Sequence, residues 1–230
     1  GPISKDILAM SKDDLLSLLS KLSLSLDGKE AINPKYLKSL SIDLLRIIYN
    51  SILKNNNLLN IKNVRGIDIP DDVNLLTYSF PCQDLSNVGS FHGYKNGIDK
   101  DKNTRSGLLW EIERILEEKK KLSLNLPKFL LLENVTALEA ARHKGNFEQW
   151  QSKLIELGYV NKIYKLNSEN FGIPQYRNRL IMLSVYTGND TLKKELVEQY
   201  WKTHDLNKKE YINALQINKK GLEGFLKIDY

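Results

Sequence analysis

The 230 residues contain one cysteine, which excludes an internal disulfide. Only three histidines accompany it, at no ligand-like spacing, which argues against a structural zinc site. No apolar run approaches the roughly 18 residues that a membrane-spanning helix needs. No charged-then-apolar leader precedes the fold, so the sequence reads as cytoplasmic. Internal repeats and low-complexity tracts are also missing. A lone cysteine is more often an inert small hydrophobe than a reactive thiol, so Cys82 has to be judged from its neighbours. Lys and Arg total 34 against 28 Asp and Glu, a net charge of +6. That excess suits a polyanionic partner, although many solvated surfaces share it. The run Lys119-Lys120-Lys121 beside Glu117 and Glu118 reads as an exposed helix end. The start, Gly1-Pro2 without an initiating Met, reads as the remnant of a protease cleavage, and hence as the start of a fragment.

The length suits one main domain with a small appendage. Ser11, with Asp14 three residues later, predicts a helix start before leucines 15, 16, 18, 19 and 22. Ser41 predicts a second, with Leu44, Ile48 and Ile52 on one face, ended by Asn55-Asn56-Asn57. From Val73 the pattern changes. Val73–Phe80 is a short β-favouring run stopped by Pro81. Asp84 to Arg105 is polar and punctuated by glycines, a long loop of the kind that usually serves function. Leu108–Lys121 is helical, Phe129–Leu132 is a second buried strand, and Thr136–Leu157 is helical with a break near Gly145. Val160–Leu166 and Leu180–Val185 are two further strands. Strands alternating with helices predict an α/β sheet, largely parallel. Ligands of open α/β sheets sit beyond the carboxyl ends of the strands. Cys82 follows one strand end and Glu133 another, so a thiol and a carboxyl share one rim.

Neither His92, His143 nor His204 stands where a cysteine hydrolase needs its base. Glutamate is a poor base for a thiol but a good acid or hydrogen-bond donor toward a ring nitrogen, provided burial raises its pKa. The pair therefore suits nucleophilic addition to a heteroaromatic ring better than acyl transfer.

Four segments from about residue 60 to 185 carry a family resemblance. Ser79-Phe80-Pro81-Cys82-Gln83-Asp84-Leu85-Ser86 resembles the catalytic motif of DNA cytosine-5 methyltransferases. Leu132-Glu133-Asn134-Val135 resembles the Glu-Asn-Val motif, and Gln175-Tyr176-Arg177-Asn178-Arg179 the Gln-x-Arg-x-Arg motif. Thr104-Arg105-Ser106-Gly107-Leu108-Leu109 is similar to the short motif between catalytic loop and helix. The mollicute-type CpG enzymes look most alike. The resemblance implies a Rossmann-like methyltransferase sheet, a DNA duplex as partner and S-adenosylmethionine as cofactor. It implies that a cytosine is flipped from the duplex. Cys82 then adds to C6, while Glu133 holds the N3/N4 edge and shares a proton with N3. C5 takes the methyl group, and loss of the C5 proton expels Cys82. Arg179 contacts the cytosine carbonyl oxygen or a phosphate, and Arg177 braces the loop or the phosphates. Gln83, Ser86 and Arg105 belong to the DNA-binding loop. Phe80, Pro81, Leu108 and Asn63 are the cofactor contacts it leaves here.

The pattern also departs from the family. No glycine-rich Phe-x-Gly-x-Gly turn and no ribose-binding acid precede Cys82, and Tyr186–Tyr230 is short for a target-recognition region plus the late motif. The sheet is therefore expected to lack its first cofactor-binding strands. The expected division is a helical segment 1–60, a catalytic core 61–187 and a polar helical segment 188–230. Three readings follow: a fragment, a split subunit completed by a second polypeptide with the glycine-rich motif, or a DNA-binding relic without catalysis.

Overall fold

The computed structural model describes residues 2–26, 30–80 and 108–214. The chain divides into two compact units, Gly1–Val64 and Arg65–Tyr230. The first is helical: α1 (Lys5–Ala9), α2 (Lys12–Ser20), α3 (Pro34–Ser39) and α4 (Ile42–Lys54). Their starts follow from capping. Ser11 accepts from the Asp14 amide while Asp14 answers the Ser11 amide, a reciprocal box that satisfies two orphan donors. Ser41 accepts from the Leu44 amide, and Asn33 caps α3 with Pro34 at its first position. Ile7, Leu15, Leu19, Leu37 and Leu45 form the core of this unit. The short helix α3 escapes the sequence pattern, since six residues carry too little periodicity.

The second unit is a four-stranded sheet with helices. Its strands are β1 (Leu75–Tyr78), β2 (Phe129–Asn134), β3 (Tyr159–Asn167) and β4 (Asn178–Tyr186), in the order β1-β2-β4-β3. Helix α5 (Leu109–Lys121) stands between β1 and β2 in sequence, and α6 (Ala141–Leu157) between β2 and β3. The expectation of a largely parallel sheet is corrected by the pairings. β1 and β2 run parallel, but β4 is antiparallel to both β2 and β3. The reason is that β3 and β4 are joined by residues 168–177, too few for a parallel crossover, and β4 turns back into the gap between β2 and β3. Strands β1, β2 and β3 still point the same way. Their carboxyl ends therefore share one rim, and the amino end of β4 lies on it too.

Alternation sorts the strand residues. Tyr78, Leu130, Leu132, Leu180 and Met182 are buried on one face, and Trp150 of α6 donates from Nε1 to Tyr78 Oη at 3.1 Å. Trp110 of α5 meets the same indole edge-on, with centroids 6.3 Å apart. Helix α6 begins after Ala140, which has extended backbone, and runs through Gly145 unbroken, so the break falls before Ala141 rather than at the expected glycine. It ends at Gly158, whose φ of 101° is the left-handed stop.

Lys119 corrects the reading of its run as an exposed end. Its side chain is buried and Nζ donates to the Ile69 carbonyl at 2.8 Å and to Asp71 Oδ1 at 3.0 Å. Next to it Glu118 accepts the Gly66 amide at 2.7 Å. A Cβ on Gly66 would lie 2.6 Å from the Lys119 amide nitrogen, so only glycine permits this approach. Helices α7 (Thr191–Thr203) and α8 (Lys209–Ala214) follow the sheet. Between them Asp205 pairs with Lys162 of β3, and Asn207 bonds the β3 backbone at Ile163 and Lys165, covering that sheet edge. Among the described residues no helix is long and apolar enough to cross a membrane.

Candidate functional site

Glu133 and Asn134 are adjacent on β2, so their side chains leave opposite faces of the sheet. Asn134 is buried at 2% exposure and points inward. Its Nδ2 donates to the Phe80 carbonyl at 3.1 Å and its Oδ1 accepts from the Val135 amide at 2.8 Å. The end of β2 is thereby tied to the chain that leaves β1 just before Pro81. Glu133 points the other way, its side chain 43% exposed. The burial that would suit it to acid chemistry is not found; it is half open to solvent.

The register explains what Glu133 meets. It is paired with Ile181, so Arg179, two residues earlier on β4, is its diagonal neighbour on the same face. Arg179 Nε lies 2.8 Å from Glu133 Oε1, and its Nη1 donates to the Asn178 carbonyl at 2.7 Å. On the other side, Tyr78 pairs with Leu132 in the parallel ladder, so Ser79 comes next to Glu133. Ser79 Oγ donates to Glu133 Oε2 at 3.4 Å. Both carboxyl oxygens are engaged, one by Arg179 of β4 and one by Ser79, which directly follows β1. Ser79 opens the catalytic motif, yet the sequence by itself assigns it no role. Period-two alternation and parallel pairing are the signal that points to it.

The loop 168–177, which carries Arg177 and leads to Arg179 on β4, is braced from inside. Ser168 Oγ donates to the Gln175 carbonyl at 2.6 Å and the Ser168 amide to the Arg177 carbonyl at 3.1 Å. Asn167 Oδ1 accepts from the Glu169 amide, and Gly172 turns the chain at φ 82°. Arg177 is exposed on this loop, whereas Arg179 folds back onto Glu133. The structure thus brings together Glu133, Arg179 and Asn134, with Phe80 against Asn134.

The remaining candidates are scattered or undescribed. Pro81, Cys82, Gln83, Ser86 and Arg105 lie outside the described residues. Phe80 is buried, and Leu108 is half-buried at the start of α5. Asn63 belongs to the first unit, where its Nδ2 donates to Ser23 Oγ at 2.9 Å. Phe80 and Leu108 offer apolar surface but no partner for a ribose or an amino-acid group. The described residues therefore do not by themselves fit S-adenosylmethionine. No group of three or more His, Cys, Asp or Glu among the described residues could hold a metal ion.

Chemically, the rim presents a carboxylate oriented by a guanidinium and a hydroxyl, on the strand next to the one leading to the thiol. Such an arrangement can hold a flat polar ring by its hydrogen-bonding edge.

Comparisons with known proteins place the chain in a family. The profile of the family described as C-5 cytosine-specific DNA methylase matches residues 11–227. The orphan methyltransferase M.SssI of Spiroplasma monobiae (strain ATCC 33825 / MQ-1) is 41% identical over 179 residues, covering 76% of this chain and 45% of that protein. The Type II methyltransferase M2.ScrFI of Lactococcus lactis subsp. cremoris is 36% identical over 181 residues, covering 79% and 47%. The chain spans about half the length of these curated relatives. Among solved structures, the Entamoeba histolytica methyltransferase EhMeth aligns with a TM-score of 0.42 at 21% identity, over 65% of this chain and 44% of that one.

Proposed function

The chain belongs to the C-5 cytosine-specific DNA methylase family, and from that premise we propose that its second unit is the base-activating half of a DNA cytosine-5 methyltransferase. The observation that carries the reading is the Glu133–Arg179 pair at 2.8 Å, on the rim where β1 ends four residues before Cys82 in the sequence.

In this reading a cytosine leaves the duplex, because C6 cannot be attacked while the ring is stacked. The Cys82 thiolate forms a bond to C6, and the electron pair of the C5–C6 double bond moves toward C5 and N3. Glu133, half open to solvent in the free protein, receives the N3/N4 edge; the ring then covers the carboxyl, which shares a proton with N3 and drains charge from the ring as the adduct forms. Arg179 keeps Nε on Glu133 and turns a terminal guanidinium nitrogen to the ring carbonyl or a neighbouring phosphate, and exposed Arg177 meets the phosphate backbone. Asn134 keeps the two strand ends in step while this happens. Family membership implies S-adenosylmethionine as methyl source. The chemistry of these side chains stops at the activated base, since the residues described do not make the cofactor pocket. We propose that the pocket is completed by polypeptide beyond these 230 residues, in the same chain or in another. The sequence supports this by lacking a glycine-rich turn before Cys82, and the relatives by being about twice as long.

The test separates base activation from methyl transfer. Reversible addition at C6 makes C5 basic, so its hydrogen exchanges with solvent before Cys82 leaves. A duplex carrying an unpaired cytosine, incubated in deuterium oxide, should gain deuterium at C5. Cys82→Ala should abolish the gain and leave DNA binding intact. Exchange that survives in Cys82→Ala contradicts the reading.

A further inference from the structure

Glu133 has to present two oxygens in one plane to a flat base edge, and its terminal torsion is intrinsically soft. Carboxyl rotation in glutamate is broad and roughly two-fold, so a single contact does not set it. Arg179 fixes Oε1 at 2.8 Å and leaves the rest of the group free to swing about that contact. The second contact comes from the opposite side, where Ser79 Oγ lies 3.4 Å from Oε2. Resting on the proposed function, we propose that Ser79 is a positioning residue that sets the carboxyl plane of Glu133 for the cytosine edge.

Two features of the fold and one of the hydroxyl support this. The parallel ladder ends at the Tyr78–Leu132 pair, and the next residues of the two chains, Ser79 and Glu133, come side by side on one face. Ser79 is exposed on this rim, so its hydroxyl has no packing role to explain it. A hydroxyl also carries one donor and two acceptor sites. It donates to the ionised carboxylate and accepts from the protonated acid, so it stays paired through the proton sharing with N3. An alanine offers neither, and an ammonium or guanidinium only the first. The contact is long in the free protein, as hydrogen bonds to catalytic groups often are before the base arrives, and it shortens when the ring closes the plane.

The experiment uses the C5 deuterium exchange of the full chain on a duplex with an unpaired cytosine. Ser79→Ala should lower the exchange kcat roughly tenfold with KM for DNA within about twofold, the size expected for one hydrogen bond to a charged group. Ser79→Thr keeps the hydroxyl and should stay within about twofold of the unaltered rate. In a Glu133→Gln background, followed over longer times, Ser79→Ala should cause no further loss. A Ser79→Ala rate equal to the unaltered chain overturns the proposal and leaves the proposed function standing. So does an equal loss in the Glu133→Gln background, because the hydroxyl would then act on something else. No exchange by the folded, unaltered chain removes the proposed function and this proposal together.

Discussion

At the scale of single residues, the site is two neighbours on one strand facing opposite ways. Glu133 faces the rim between Arg179 and Ser79, and Asn134 faces inward to the Phe80 carbonyl. Their substitutions should therefore fail differently. Glu133→Gln keeps the shape but loses the proton chemistry, and should slow C5 exchange by about 100-fold or more. A normal rate would reduce Glu133 to scaffold. Asn134→Ala strands a buried carbonyl and amide and should cost about 1–3 kcal/mol in urea unfolding, with weakened exchange in the folded fraction. Unchanged stability in that variant would contradict the tie between the two strand ends. The residue identities were legible in the sequence because each motif is contiguous. The pairings were not, because Arg179 reaches Glu133 only through the register of a strand that arrives much later in the chain.

At the scale of elements, the informative feature is β4. The sequence pattern identified four strands and the helices between them, since alternation and helical periodicity are local. It did not reveal that β4 inserts between β2 and β3, since strand order is a non-local property. That insertion is what carries the Arg177–Arg179 segment to the rim where β1 and β2 end. Helix α5 shows a second lesson, in that Lys119 reads as solvent-facing charge yet anchors the 66–71 segment. Lys119→Met keeps the stem and removes the donor, and should destabilise the unit by about 1–3 kcal/mol because the Ile69 carbonyl loses its donor and Asp71 keeps only the Asn125 amide. A chemical denaturation midpoint equal to the unaltered chain would return Lys119 to the surface. The same turn has a pH signature. Hydrogen bonds from the Arg65 side chain and amide hold the Asp68 carboxyl at about 2, below its ordinary 3.8. A depressed carboxyl stabilises the fold in full above 3.8 and loses that contribution as pH falls toward 2. Asp68→Asn should flatten the melting-temperature profile over that window. An identical profile would mean the pair contributes nothing.

At the scale of the whole molecule, a helical unit precedes a sheet unit, and the recognisable chemistry lies in the second. A net charge of +6 suits a DNA partner without identifying one. The chain matches its family from residue 11 to 227 yet spans 45% and 47% of two relatives. The role proposed for it is therefore the activation of cytosine rather than the complete reaction. The most direct measurement is capture of the covalent step. Duplexes carrying 2-pyrimidinone, a ring without the exocyclic amine and more open to attack at C6, would be mixed with the chain in varied sequence contexts and weighed intact. The expected result is a one-to-one protein–DNA adduct that maps to Cys82 and disappears in Cys82→Ala. A folded chain that binds these duplexes and forms no adduct, or one whose adduct maps elsewhere, would contradict that role.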